Sequence, residues 1–275
     1  MNILLIAILL LGAIGSLSAV LLFSVSRKFA IHEDSRVTRI QKLLPGVNCG
    51  ACGFPGCSGL ATELVKADSS SELFCPVGGS DLMSKIAEVL GRIPEQRQAK
   101  IAVLHCNGNC DHRQQTNLYD GFVSCAIVSS LYAGNTACAY GCLGLGDCVN
   151  VCLFDALSID PETLLPEIDE EKCTACGKCV KACPKGLFDL RKKGLENRRI
   201  YVNCKSHDKP AVTAKACKAG CISCKKCQKE CAFDAIVIER NLAEIDDNKC
   251  CLCRKCVSVC PVNAISECNF PSKEL

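Results

Sequence analysis

Cys173-Thr-Ala-Cys176-Gly-Lys-Cys179-Val-Lys-Ala-Cys183-Pro184 places three thiols at successive x2 spacings, a fourth after x3, and a proline behind it. A [4Fe–4S] cube needs four thiolates at the corners of a tetrahedron. Three come from one tight loop, and the fourth Cys of such a run ligates the other cluster of a two-cluster module. The x3 gap and the proline are expected to start a helix that carries the fourth Cys away from its own loop.

The run recurs. Cys250-Cys-Leu-Cys253-Arg-Lys-Cys256-Val-Ser-Val-Cys260-Pro261 repeats it, and Cys221-Ile-Ser-Cys224-Lys-Lys-Cys227-Gln-Lys-Glu-Cys231 repeats it with Ala232 in place of Pro. A degenerate copy, Cys142-Leu-Gly-Leu-Gly-Asp-Cys148-Val-Asn-Val-Cys152, has Leu145 where the middle Cys belongs, and Cys138 lies four residues upstream. The segments between copies repeat as well. Asp155–Asp160 leads to Leu165–Ile168, and Asp234–Glu239 leads to Leu242–Ile245; each reads as two short strands around a turn. Crossed ligation then gives four sets. Cys173, Cys176 and Cys179 pair with Cys152. Cys138, Cys142 and Cys148 pair with Cys183. Cys221, Cys224 and Cys227 pair with Cys260. Cys250, Cys253 and Cys256 pair with Cys231. Cys251 cannot replace Cys250 without breaking the x2 spacing.

A fifth set opens earlier, as Cys49-x2-Cys52-x4-Cys57-x17-Cys75-Pro76. Three of its thiols sit in the glycine-rich loop N-C-G-A-C-G-F-P-G-C, where glycines let the backbone curl and aim N–H groups at an anion. Residues 60–73 read as a helix, followed by a second with Leu82, Ile86, Val89 and Leu90 on one face. A structural zinc site is the alternative for these four cysteines. Cys106, Cys110 and Cys125 match no common cluster spacing and read first as small buried hydrophobes. A sixth cluster at Cys106, Cys110, Cys125 and Cys204 is the alternative. Cys204 follows the strand Arg199–Asn203 much as Cys106 follows Ile101–Leu104, and Cys217 aligns with Cys138.

The whole chain has 275 residues, of which 27 are Cys, with no Trp and a net charge of +3. An odd count excludes complete intramolecular disulfide pairing, and 49% hydrophobic residues argue against disorder. The near-neutral charge argues against nucleic acid as the main partner. Residues 3–25 form an apolar run broken only by small residues, long enough to cross a bilayer. Arg27, Lys28, Arg36 and Arg39 follow it, so the positive-inside rule puts the long C-terminal part in the cytoplasm, a reducing compartment suited to thiolates. A cleaved signal peptide is the rival, disfavoured because Met1-Asn2 carries no side-chain charge and the run is too long.

The expected organisation is α+β: a transmembrane anchor (1–27), a small helical four-Cys 4Fe–4S domain (32–92), a connecting α/β segment (93–137), a two-cluster module (138–190), a linker (191–216) and a second module (217–270). No G-x-G-x-x-G follows a strand and no P-loop is present, so no nucleotide site of those types is expected on this chain. His105 and His112 flank Cys106 and Cys110, but a core or solvated histidine is the simpler reading.

An N-terminal membrane helix, a C-x2-C-x4-C-x17-C domain, then A-C-A-Y-G-C-L-G-L-G-D-C-V (residues 137–149) followed by bacterial-type 2[4Fe–4S] ferredoxin-like runs together resemble the B subunit of the Rnf electron-transport complex. The resemblance covers essentially the whole chain, and the second ferredoxin module resembles the longer members. It implies an ion-translocating ferredoxin:NAD+ oxidoreductase in which this subunit accepts electrons from reduced ferredoxin and works with membrane and flavoprotein subunits, with Na+ or H+ exported. The matching ligand positions are those already read from spacing; Leu153 and Ala232 depart from the Pro that follows the fourth ligand in the other runs. Basic residues would dock an acidic ferredoxin: Arg191, Lys192, Lys193, Arg198, Arg199, Lys225, Lys226, Lys229, Arg254 and Lys255. A solvated face is the plain alternative for each. The competing functions are a non-pumping relative that keeps a redox-sensing transcription factor reduced, and a structural zinc scaffold at a membrane.

Overall fold

The computed structural model describes residues 3–28, 34–67, 73–94, 98–131 and 134–271. The apolar run forms one helix, α1 (Ile3–Lys28), whose 26 residues extend roughly 39 Å at ~1.5 Å per residue. The stretch Ile8–Lys28 is long and apolar enough to cross a membrane, and none of it is buried against the rest of the chain. Two of its hydroxyls are satisfied within the helix. The hydroxyls of Ser16 and Ser24 donate to the carbonyls of Gly12 and Val20, each at 2.8 Å. Hydroxyls satisfied within a helix suit an apolar surrounding.

Three helices follow: α2 (Ser35–Leu43), α3 (Gly56–Lys66) and α4 (Gly79–Leu90). Asp34 caps α2 by accepting from the Arg36 N–H at 2.9 Å. Gly91, at φ 65°, ends α4 in the left-handed cap that glycine favours. Ile40, Leu60, Leu64 and Ile86 bury their side chains at the centre, and Cys75 joins the same core. The helix expected over 60–73 begins earlier and ends at Lys66; residues 68–72 lie outside the described ones.

From residue 98 the order is β1 (Lys100–Leu104), α5 (Cys125–Leu131), α6 (Asp147–Asn150), β2 (Leu157–Ile159), β3 (Pro166–Ile168), α7 (Lys178–Ala182) and β4 (Phe188–Lys192). Then come β5 (Arg199–Val202), α8 (Pro210–Ala216), α9 (Lys226–Glu230), β6 (Ile236–Glu239), β7 (Leu242–Ile245), α10 (Lys255–Ser258) and β8 (Ile265–Cys268). The expected short hairpins are β2–β3 and β6–β7, both antiparallel. Arg240 and Asn241, at φ 46° and 65°, make the two-residue turn of the second.

The segments expected as connector and linker are parts of the modules. β1 pairs with β4 from Lys100↔Lys192 to Leu104↔Phe188. β5 pairs with β8 from Arg199↔Cys268 to Val202↔Ile265. Each outer strand extends by one more bond: His105 N–H to Leu187 O, and Asn203 N–H to Ala264 O, both 2.7 Å. The first module therefore reaches back to residue 100 and the second to residue 199. Strands this far apart in sequence leave no local turn signal, so periodicity alone does not join them.

The modules also grip each other. Ile101 and Val103 of β1 pack against Tyr201 of β5. Arg113 bridges to Cys217, and Lys218 N–H donates to His112 O at 2.8 Å.

Candidate metal centres

The ligand loops share one backbone shape. Ala175 and Gly177 flank Cys176 with φ of 53° and 74°; Ser223 and Lys225 flank Cys224 with 53° and 63°; Leu252 and Arg254 flank Cys253 with 61° and 66°. Gly144 and Gly146 flank Leu145 with 73° and 83°, so the degenerate copy keeps the loop while lacking its middle thiol. Left-handed backbone costs a non-glycine residue roughly 1–2 kcal/mol, and strain gathered at such loops is a mark of a site. The geometry turns successive N–H groups into a concavity that suits an anion.

The helix position corrects one expectation. α7, α9 and α10 each start one residue before the third Cys of their runs and end before the fourth, and α6 occupies the same place in the degenerate copy. Pro184 and Pro261 follow that helix rather than start it. Proline pushes the residue before it out of the helical region, and Cys183 has the extended φ −78°, ψ 110°. The fourth thiols are then held from behind: Ala156, Leu187 and Ala264 N–H groups donate to Sγ of Cys152, Cys183 and Cys260 at 3.4, 3.4 and 3.2 Å.

Cys152, Cys173, Cys176 and Cys179 line one cavity of about 360 Å³. Cys231, Cys250, Cys253 and Cys256 line another of about 330 Å³, with Cys251 also on its wall. Cys227 stands beside Cys221, Cys224 and Cys260. Cys75 stands beside Cys52 and Cys57 in the first domain. There Gly50, Gly53 and Gly56 adopt φ of 69°, 88° and 84°, and Asn48 Oδ1 accepts from Cys57 N–H at 2.8 Å.

The structure departs from the spacing at Cys138. The cavity holding Cys142, Cys148 and Cys183, about 370 Å³, is completed by Cys125. Cys125 stands at the start of α5, where its sulfur meets the backbone N–H groups of Asp147 and Leu145. It thus reaches the place where Leu145 leaves a thiol missing. Cys138 instead lines a different cavity with Cys106, Cys204 and Cys217. The sixth grouping expected at Cys106, Cys110, Cys125 and Cys204 is not formed: Cys110 is exposed, with Sγ 3.8 Å from Thr163 O. The missing thiol at Leu145 is visible in the sequence. Its replacement is not, because no spacing rule links Cys125 to the loop.

Burial dominates the thiol electrostatics. It pushes Cys142, Cys148 and Cys256 up to about 12, and Cys179, Cys204 and Cys227 up to about 11. Neighbouring thiols add to the effect, since like charges oppose one another's ionisation. Such thiols ionise at neutral pH when a metal supplies the compensating charge.

Most of the expected docking cations are already engaged. Arg191 pairs with Asp247, Arg198 with Glu196, Arg199 with Glu170, and Arg254 with Glu267. Lys192 bonds Asn248, and Lys193 reaches Glu170 O. Lys225, Lys226, Lys229 and Lys255 are exposed, next to the exposed thiols Cys224 and Cys253.

A tetrahedral zinc draws its ligands to about 2.3 Å from one centre. Among the described residues no three Cys, His, Asp or Glu side chains converge closely enough to hold a single ion. The thiols stand around cavities instead, as the corners of a larger core require.

Left-handed ligand loops, crossed thiol sets and tandem modules define an iron–sulfur electron carrier. Family models agree: residues 44–77 match "Putative Fe-S cluster", 137–187 "4Fe-4S dicluster domain" and 243–266 "4Fe-4S binding domain". Over 266 residues the chain is 40% identical to the B subunit of the Na(+)-translocating ferredoxin:NAD(+) oxidoreductase complex of Acetobacterium woodii, covering 97% of this chain and 78% of that one. It is 37% identical over 259 residues to the B subunit of the ion-translocating oxidoreductase complex of Methanosarcina acetivorans, covering 94% and 96%. It is 34% identical over 267 residues to the B subunit of the proton-translocating ferredoxin:NAD(+) oxidoreductase complex of Clostridium ljungdahlii, covering 96% and 93%. The chain belongs to the family of B subunits of ion-translocating, Rnf-type oxidoreductase complexes.

Proposed function

We propose that this chain is a membrane-anchored subunit that takes electrons from reduced ferredoxin and relays them within an ion-translocating ferredoxin:NAD+ oxidoreductase. Five ligand sets carry the reading: Cys49/Cys52/Cys57/Cys75, Cys125/Cys142/Cys148/Cys183, Cys152/Cys173/Cys176/Cys179, Cys221/Cys224/Cys227/Cys260 and Cys231/Cys250/Cys253/Cys256. A [4Fe–4S] cluster bound at such a set supplies reversible one-electron transfer. The chain's own part is to hold thiolates in left-handed loops, keep water away with Leu157, Leu187, Ile236 and Ile265, and donate backbone N–H groups to sulfur. Those bonds tune the potential of whatever the thiolates hold.

The observation that most directly supports donor docking is at module 2. Exposed thiols Cys224 and Cys253 lie beside exposed Lys225, Lys226 and Lys255. An acidic ferredoxin would be steered there, with an on-rate that falls as salt rises. α1 would hold the chain in the cytoplasmic membrane, with Arg27 and Lys28 on the inner side and the thiol-bearing domains in the cytoplasm. Membrane and flavoprotein subunits would complete the path to NAD+.

The test is anaerobic stopped-flow mixing of the full chain, in detergent or nanodiscs, with a reduced 2[4Fe–4S] ferredoxin. Bleaching of visible absorption is expected, slowed about tenfold by the triple change Lys225→Glu, Lys226→Glu, Lys229→Glu at low salt. A visible spectrum unchanged by reduced ferredoxin would overturn the reading.

A further inference from the structure

Cys106, Cys138, Cys204 and Cys217 belong to two different modules, yet they line one cavity of about 390 Å³. It is walled by cysteines, as are the cavities that the ligand runs surround. Of the family matches, only the dicluster model, over 137–187, takes in any of the four, and that one is Cys138.

The four thiols come in two equivalent pairs. Cys106 lies two residues past β1, and Cys204 lies two residues past β5. The strand extensions at His105 and Asn203 put both in the same register against their partners. Cys138 precedes Cys142 by x3, and Cys217 precedes Cys221 by x3. Each module therefore contributes one thiol after its outer strand and one before its first ligand run.

Backbone contacts tie the set to both neighbours. Cys142 N–H donates to Cys106 Sγ at 3.4 Å. Ser206 N–H donates to Cys204 Sγ at 3.4 Å, and the backbone of Cys221 lies beside the same sulfur. Two glycines border the thiols at van der Waals distance. A Cβ at Gly108 would sit 3.4 Å from Cys217 Sγ and 3.6 Å from Cys106 Sγ, and one at Gly141 would sit 3.6 Å from Cys138 Sγ. Arg113, buried in the same wall, brings a positive charge toward an anionic core.

We propose that Cys106, Cys138, Cys204 and Cys217 hold a sixth [4Fe–4S] cluster, shared by the two modules at their join. The inference rests on reading the other sets as [4Fe–4S] sites. It leaves Cys110, Cys251 and Cys268 outside any set.

A shared site makes a distinctive demand: variants in different modules must lose the same group. The full chain, matured and purified anaerobically, is expected to carry about 24 iron atoms. Cys106→Ala in module 1 and Cys204→Ala in module 2 should each lower iron and sulfide by about one sixth and remove the same EPR component. The double variant should lose no more than either single one, and Cys110→Ala should lose nothing. Gly108→Val fills the cradle without removing a thiol and should give the same loss, which guards against a misfolded cysteine variant. Unchanged iron in both single variants, a double loss in the combination, or loss of one zinc with iron intact would overturn the proposal. A wild-type chain without iron would defeat the reading of all the sets, whereas one with about 20 iron atoms and unaffected variants would defeat this site alone.

Discussion

Arg199 Nη1 donates to Glu170 Oε2 at 3.1 Å, joining β5 of the second module to the segment after β3 of the first. Asn269 Nδ2 donates to the same carboxylate oxygen at 2.8 Å. The guanidinium is buried and the carboxylate half-buried, so removing the acid leaves a buried charge unpaired. Arg191 makes the reciprocal contact to Asp247, and its Nη1 also reaches Ile245 O at 2.7 Å. Glu170 and Asp247 occupy equivalent places, two residues past Ile168 and Ile245. Each module thus offers an acid to an arginine of the other.

Glu170→Gln is expected to destabilise the chain by roughly 1–3 kcal/mol, read as a lower melting point of the anaerobic holoprotein. Hydrogen bonds from Arg199 hold the Glu170 carboxyl below its usual range. A depressed acid contributes stability above its unfolded value, and the contribution is lost as pH falls through the folded value. The difference in stability between wild type and Glu170→Gln should therefore shrink as pH drops below about 4.5. A constant difference down to about pH 3 would deny the ion pair its role.

Arg113 donates through Nη1 to Cys142 O, and its charge favours the ionised forms of both Cys142 and Cys217. A cation beside a site stabilises the more negative, reduced state. Arg113→Met should lower the midpoint potential of the centre held by Cys142 by on the order of 50 mV, followed by EPR in a potentiometric titration. Arg113→Lys keeps the charge and should recover most of the shift. Equal shifts for both variants would mean that packing, not charge, sets the potential.

Which thiols of neighbouring runs share a cavity is legible, because their spacing follows from loop and helix geometry. Cys152 meeting Cys173, Cys176 and Cys179 needed only the x3 gap. What spacing could not reveal came from pairing at a distance. β1 and β4 are far apart in the chain, and Cys106 meets Cys217 only across the join between the modules, where Arg113 bridges to Cys217. The repeat carried a partial signal: Cys204 after its strand and Cys217 aligned with Cys138 pointed to a symmetric role. Basic residues are legible in sequence only as charges. A sequence shows Arg199 and Arg254 as charges, and the fold pairs them with Glu170 and Glu267.

The substitution of Cys125 for the thiol missing at Leu145 can be reversed. Cys125→Ala should remove about four iron atoms and one EPR component from the first module. Adding Leu145→Cys restores the regular x2 spacing in a loop whose flanking glycines, Gly144 and Gly146, already hold the left-handed backbone. The double variant should recover the lost iron and sulfide. Cys138→Ala should leave that EPR component in place. Loss of the component with Cys138→Ala, and its retention with Cys125→Ala, would return the ligand set to the one expected from spacing.

Lys225 sits between a ligand thiol and a helix start at φ 63°, where Gly177 stands in the first module at φ 74°. A lysine there carries strain that glycine does not, worth roughly 1 kcal/mol. Lys225→Gly should therefore raise the stability of the holoprotein by about that amount, seen as slower loss of the iron–sulfur chromophore on heating. The same change removes a cation beside the exposed Cys224 and should slow reduction by ferredoxin roughly two- to threefold at low salt, with the difference vanishing at high salt. Opposite signs in the two measurements would separate the structural cost of this lysine from its electrostatic use. A destabilised Lys225→Gly variant would show that the loop is held by something other than its backbone conformation.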